Sequence, residues 1–106
     1  MDANTLVQQL PKAFRPAEAA GKSHTIQLNI SQPAYAVIEN GACSIHSGTA
    51  PKSDLTLTVS DENFVELMQG RLNGVAAFMS GKLKASGDLM LAQRLSKIFD
   101  ASALQG

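Results

Sequence analysis

The sequence predicts an α+β fold: a five-stranded, mostly antiparallel sheet with helices covering one face. Three observations carry that prediction. The apolar period is four residues near the N-terminus, two over most of residues 22–60, and helical again in two later stretches. The period-two stretches mostly alternate apolar with polar side chains, the mark of strands buried on one face only. The helical stretches are segregated from most of the strands, as in layered α+β domains.

The elements follow in order. Leu6, Leu10 and Phe14 form a helical stripe that Asp2 or Asn4 can cap. Pro11 lacks the N–H a continuous helix needs, so one helix to about Leu10 and a new short turn from Pro11 are expected. Arg15-Pro16 and Gly21 punctuate the exit. Ile26, Leu28 and Ile30 then alternate with Thr25, Gln27 and Asn29 in a half-buried strand. After the break at Ser31-Gln32-Pro33, a strand over Tyr35 to Glu39 meets Asn40-Gly41, the strongest hairpin dipeptide. Ala42 to Ser47 returns with Cys43 and Ile45 on one face. A loop rich in Gly, Pro and Ser leads to a fourth strand, Asp54 to Ser60, with Leu55, Leu57 and Val59 on one side.

Ser60-Asp61-Glu62 is a helix start, a capping side chain followed by acids. Phe64, Leu67, Met68 and Leu72 are its stripe, with Gly70 or Gly74 available to end it. A short helical turn, Val75 to Ser80, carries Phe78 and Met79 and stops at Gly81. Lys82 to Ser86 alternates again, and its exposed lysines mark an edge strand. Gly87-Asp88 opens the last helix, with Leu91, Leu95, Ile98 and Phe99 inward and Arg94 and Lys97 on the wet side. The 106 residues are expected to form a single domain, burying about 65% of the unfolded surface.

Composition excludes several functions. Nine basic and nine acidic residues leave no net charge, and five aromatic side chains without tryptophan build no base-stacking platform; nucleic acid is not an expected partner. The single cysteine, Cys43, permits no internal disulfide and no multi-cysteine metal cluster. Residues 1–10 lack a basic start and an apolar run, and no stretch is long enough to span a bilayer. The final Leu-Gln-Gly matches no sorting or lipidation signal. A cytoplasmic protein without stable membrane insertion is expected, as a monomer or homodimer.

Catalytic constellations are thin. His24 and His46 read as solvated strand histidines. Odd spacing puts Cys43 and His46 on opposite strand faces, which rules against a thiolate–imidazole pair. Asp61 and Glu62 are accounted for by the helix start. Gly74 to Lys82 has the wrong spacing for a phosphate loop, and Leu83 stands where a magnesium-binding hydroxyl belongs. No enzyme activity, catalytic residue, cofactor or metal is expected. What remains is apolar surface, with Met68, Met79 and Met90 on the later helices. Methionine serves both as core filling and on adaptable binding surfaces.

The C-terminal half then shows an ordered set of motifs. These are LTLTVSDENF over 55–64, LMQG over 67–70, AFMSGKLK over 77–84, Gly87-Asp88, and LSKIF over 95–99. Together they resemble the sterol carrier protein 2 domain, and FRPAEAAG over 14–21 resembles that family's entry from helix to strand. The resemblance, to a small stand-alone bacterial-type member, implies an apolar tunnel between the sheet and helix layers. Its ligand would be a fatty acid, fatty acyl-CoA, phospholipid or sterol-like molecule, bound or transferred without chemistry. On the helical side it implies a lining of Phe64, Met68, Leu72, Phe78, Met79, Leu91 and Leu95. On the strand side it implies Ile26, Leu28, Val37 and Leu57. The chain departs from the family in lacking the peroxisomal tripeptide many members carry, and in having Tyr35 where relatives often place tryptophan. The competing reading is a structural or dimerisation module assisting a lipid-metabolising enzyme.

A tunnel has a cost that can be set against stability. About 300 Å³ of dry cavity at about 24 cal/mol per Å³ costs on the order of 7 kcal/mol, comparable to a domain's net stability of about 5–15 kcal/mol. Partial collapse or a retained lipid is therefore expected. The segment from Gly70 to Gly81 and the C-terminal helix are the expected moving elements.

Overall fold

The computed structural model describes residues 2–19 and 21–105. Met1 and Gly106, which bound the readings of the two ends, and Ala20 of the helix-to-strand entry lie outside them. Among the described residues are four α-helices: α1 (Ala3–Ala13), α2 (Asp61–Met68), α3 (Gly74–Met79) and α4 (Leu89–Ile98). The strands are β1 (His24–Asn29), β2 (Ala34–Glu39), β3 (Ala42–Ser47), β4 (Leu55–Val59) and β5 (Leu83–Gly87). Single 3-10 turns at Pro16–Ala19 and Ala101–Leu104 complete the chain.

Each α-helix begins at a side-chain cap: Asp2, Ser60, Asn73 and Asp88 accept from the backbone N–H groups of Thr5, Asn63, Ala76 and Leu91. One sequence expectation fails in α1, which runs through Pro11 without a break. Pro11 removes the donor that the Val7 carbonyl would otherwise have, the loss of one helical bond, and its ring is exposed. Leu10 and Ala13 on either side of it are buried, so continuing the helix keeps their packing.

The sheet order is β3-β2-β1-β4-β5. All neighbouring pairs are antiparallel except the central β1–β4 pair. Asn40 and Gly41 both adopt positive φ, 52° and 71°, in the two-residue turn joining β2 to β3. A parallel β1–β4 pair obliges the chain to travel from the β3 edge back past β1. It does so through residues 48–54, and this crossing corrects a second expectation. Gln27, placed on a solvated face by its alternation, is buried beneath the crossing segment. Its amide nitrogen donates to the carbonyls of Gly48 (3.1 Å) and Ala34 (3.2 Å), and its oxygen accepts from Ala50 N–H (2.8 Å). The group is fully satisfied, as a buried amide must be.

On the other face, α1 packs against β3, α3 against β5, and α4 against β4, β5 and the first 3-10 turn. The chain ends are tied together there. Arg15 N–H donates to Ile98 O at 2.7 Å and Asp100 N–H to Ala13 O at 2.8 Å. The Phe14 and Phe99 rings meet at 6.1 Å, and Arg15 pairs with Asp100 at 3.2 Å. Arg94 does not sit wholly on the wet side: it reaches back to donate to Glu18 O at 2.6 Å.

Candidate functional site

Two concavities of different kind stand out. The first is an open surface depression of about 430 Å³, lined by Asp2, Ala3, Asp61, Glu62, Val65, Glu66, Gln69 and Arg71. Its polar groups are largely engaged locally. Asp2 caps α1, Asp61 accepts from the Ser31 N–H and hydroxyl, and Arg71 lies 3.8 Å from Glu66. The bonds from Ser31 hold the Asp61 carboxyl below the usual carboxylate range.

The second lies between the layers and is lined entirely by apolar side chains: Leu10, Ile26, Leu28, Ala36, Leu57, Phe64, Met68, Leu95 and Phe99. Strand register builds its floor, since Ile26 pairs with Ala36 and Leu28 with Leu57, so all four share a face. The roof comes from α1, α2 and α4. Seven of the nine are buried; Met68 and Leu95 are half-buried. The gap between α2 and α4 is therefore where this space comes nearest to solvent. Its volume is about 10 Å³, so the two layers close on one another. At about 24 cal/mol per Å³ that void costs only about 0.2 kcal/mol, against several for an open tunnel.

Among the described residues no charged or hydrogen-bonding side chain lines the inner space, so it can exclude water and hold apolar matter. Cys43 lies on the helix-facing side of β3 and His46 on the other, in contact with Tyr35 at 5.1 Å between rings. Burial raises the Cys43 thiol from 9.0 to about 11, the opposite of an activated nucleophile.

The SCP-2 sterol transfer family model matches residues 3–100, which takes in every element lining the space between the layers. The chain belongs to that family. Among SCP-2 relatives, the peroxisomal multifunctional enzyme A of Dictyostelium discoideum is 46% identical over 68 residues, covering 63% of this chain and 15% of that protein. Human sterol carrier protein 2 is 38% identical over 61 residues, 58% of this chain and 11% of the relative. The chain thus spans only a small part of these relatives' length. In three dimensions it is similar to palmitated SCP2L2 from Aedes aegypti. That match has a TM-score of 0.68 and 23% identity, over 100% of this chain and 96% of the other. It is also similar to Aedes aegypti sterol carrier protein 2 in complex with palmitate, with a TM-score of 0.71 and 18% identity, over 93% and 94%. Both share the SCP-2 fold.

Against this SCP-2 framework the eleven residues expected to form the lining divide. Ile26, Leu28, Leu57, Phe64, Met68 and Leu95 converge on the inner space. Leu91 is buried and Leu72 half-buried in the same core, beyond the lining. Val37 lies on the far face of the sheet, opposite Thr25 and Ser44. Phe78 and Met79 are exposed. The reason is local: α3 turns its small side inward, Ala77 being fully buried and Gly74 lying close to Leu67, so its large side chains face out.

Leu10, Ala36 and Phe99 are lining residues that the sequence reading did not nominate. Leu10 and Phe99 belong to apolar helical stripes, and nothing in a stripe separates lining from core. Ala36 had a usable signal. A two-residue turn at Asn40-Gly41 sets Ile38 opposite Cys43, which puts Ala36, not Val37, on the face of Cys43 and Ile45.

Proposed function

We propose that this chain is a non-catalytic lipid carrier that takes a fatty acid, fatty acyl-CoA, phospholipid or sterol-like ligand between its sheet and helix layers. The single observation carrying the reading is the wholly apolar lining drawn from three strands and three helical segments. The names of the SCP-2 neighbours, two of them palmitate-bound, support the ligand class. Each CH₂ moved from water into such a space contributes about 0.8 kcal/mol. A long acyl chain therefore supplies on the order of 10 kcal/mol, enough to offset parting the two layers without any polar contact. We take the chain to act as one domain, and the lone Cys43 suits a reducing cytoplasmic setting.

The second reading, a structural or dimerisation module of a lipid-metabolising enzyme, draws on the nearly closed interior and on the long enzyme among its relatives. Titration with a fluorescent fatty acid, competed by palmitate, separates the two. The carrier gives saturable, competable binding near one ligand per chain. No uptake, or uptake that palmitate does not displace, would leave the module reading in its place.

A further inference from the structure

The exposed apolar side chains are unevenly placed. The large hydrophobic residues standing exposed among the described residues are Val75, Phe78, Met79, Leu89 and Met90. All fall within residues 75–90, on α3 and the first turn of α4, the elements that lead into and out of edge strand β5. Met79 is 82% exposed and Met90 75%, more than helix packing alone accounts for. Scattered exposed apolar residues need no explanation, but five flanking one sheet edge do.

The charge of α3 and β5 is one-sided. Over residues 74–87 the chain carries Lys82 and Lys84 and no acid, and Asp88 follows as the cap of α4. Lys82 sits in the turn between α3 and β5, its N–H donating to Ala77 O at 2.9 Å, directly after Phe78 and Met79. Lys84 pairs across to Thr58 and is exposed on the sheet face turned away from the helices, on the edge strand. The acids near the other end of β5 have structural work: Asp88 caps α4, and Asp54 accepts from Thr25 N–H. The carboxylates Asp2, Asp61, Glu62 and Glu66 gather instead at the surface depression beside α2. A neutral protein thereby presents a basic, methionine-bearing edge.

We propose that β5 with its flanking residues 75–90 is the surface on which this protein docks, edge-on, to an anionic lipid bilayer. Apolar tips among lysines match a headgroup region over acyl chains, where the tips sink shallowly and the ammonium groups meet lipid phosphates. A second copy of the chain fits less well, because lysines along an edge oppose edge-to-edge pairing. The docking gives the proposed carrier a place to exchange cargo and rests on that reading for its use.

The test is sedimentation with vesicles of phosphatidylcholine alone or with about 30% phosphatidylserine, in the absence of fatty acid. The whole chain should bind the anionic vesicles at least tenfold more tightly, with affinity falling as salt rises. Met79→Ser with Met90→Ser should lower that binding by about tenfold or more. Lys82→Gln with Lys84→Gln should remove most of the preference for phosphatidylserine. Solution titration of each variant with the fluorescent fatty acid should match the unaltered protein, and a circular dichroism spectrum establishes that each folds. Equal binding to both vesicles, or variants that bind like the parent, would overturn the proposal. So would a dimer that the methionine changes dissociate with no vesicle binding at all. Loss of fatty-acid binding with vesicle docking intact counts against the carrier reading alone.

Discussion

The side-chain amide of Gln69 donates to the backbone carbonyl of Leu104 at 2.8 Å, across 35 residues. Both residues are buried, and the Gln105 amide returns a bond to Gln69 O at 2.9 Å. The end of α2 is thus fastened to the last 3-10 turn, beside the Gly70–Gly81 segment whose two bracketing glycines both take φ +81°. Replacing Gln69 by leucine leaves the Leu104 carbonyl without its donor and should cost about 1–3 kcal/mol. Amide exchange should accelerate over residues 69–73 and 101–105, with β1 and β2 unchanged. Uniform acceleration across the sheet would mean that the link holds the whole fold and is no local latch.

The inner space should respond differently at its floor and its rim. Leu57 is buried beneath the roof, so Leu57→Ala should lower stability by about 2–5 kcal/mol in urea unfolding. Saturating palmitate should recover part of that loss by filling the new volume. Leu95 is half-buried at the α2–α4 gap, so Leu95→Ala should cost less and speed release of a fluorescent fatty acid in stopped flow. Release rates unchanged by Leu95→Ala would place the ligand's exit elsewhere.

Cys43 carries an alkaline signature. Burial raises its thiol to about 11 in the folded chain, from 9.0 when free. Between those values the unfolded chain has lost the proton that the folded chain retains, so the unfolded state binds fewer protons and stability falls as pH rises. Below pH 9 the contribution is fully present. Cys43→Val should flatten the decline between pH 9 and 11 in denaturation curves, and a thiol reagent at pH 8 should label native protein far more slowly than unfolded. An unchanged alkaline slope in the valine variant would assign the decline to other groups.

Gly87 is fixed by its surroundings. Its φ is +99°, and a Cβ there would stand 2.4 Å from Asp54 O. That same oxygen accepts the N–H of Asp88 at 2.7 Å, so it has little room to retreat. Gly87→Ala should cost on the order of 3 kcal/mol, read as a lower urea midpoint at unchanged slope. A loss below about 0.5 kcal/mol would show that the β4–β5 end adjusts freely.

The order of elements, the helix starts at Ser60 and Gly87-Asp88, and the edge character of β5 are legible because each rests on local chemistry, while the sequence leaves the first cap open between Asp2 and Asn4. Period and capping are written within a few neighbouring residues. The misreadings share a different cause. Gln27 is buried by a segment that crosses the sheet more than twenty residues later, which no strand pattern announces. Pro11 stays helical because distant partners pack Leu10 and Ala13. Phe78 and Met79 face outward because α3 uses Gly74 and Ala77 as its inner side, and apolar character alone points the other way. Only Val37 was recoverable, from the turn length at Asn40-Gly41.

The parallel β1–β4 pair also dictates an order of assembly. The β2–β3 hairpin closes over two residues and β1–β2 over four, whereas Leu55 must find Ile26 with 25 residues lying between the two strands. Short closures precede long ones, so the β1–β2–β3 half-sheet forms before β4 docks. During synthesis that half-sheet emerges with Ile26, Leu28 and Ala36 on one side, before the α2 and α4 roof has left the ribosome. That apolar face exists in the nascent chain before α2 and α4 can cover it, and among the helices α1 alone is available to shield it from aggregation.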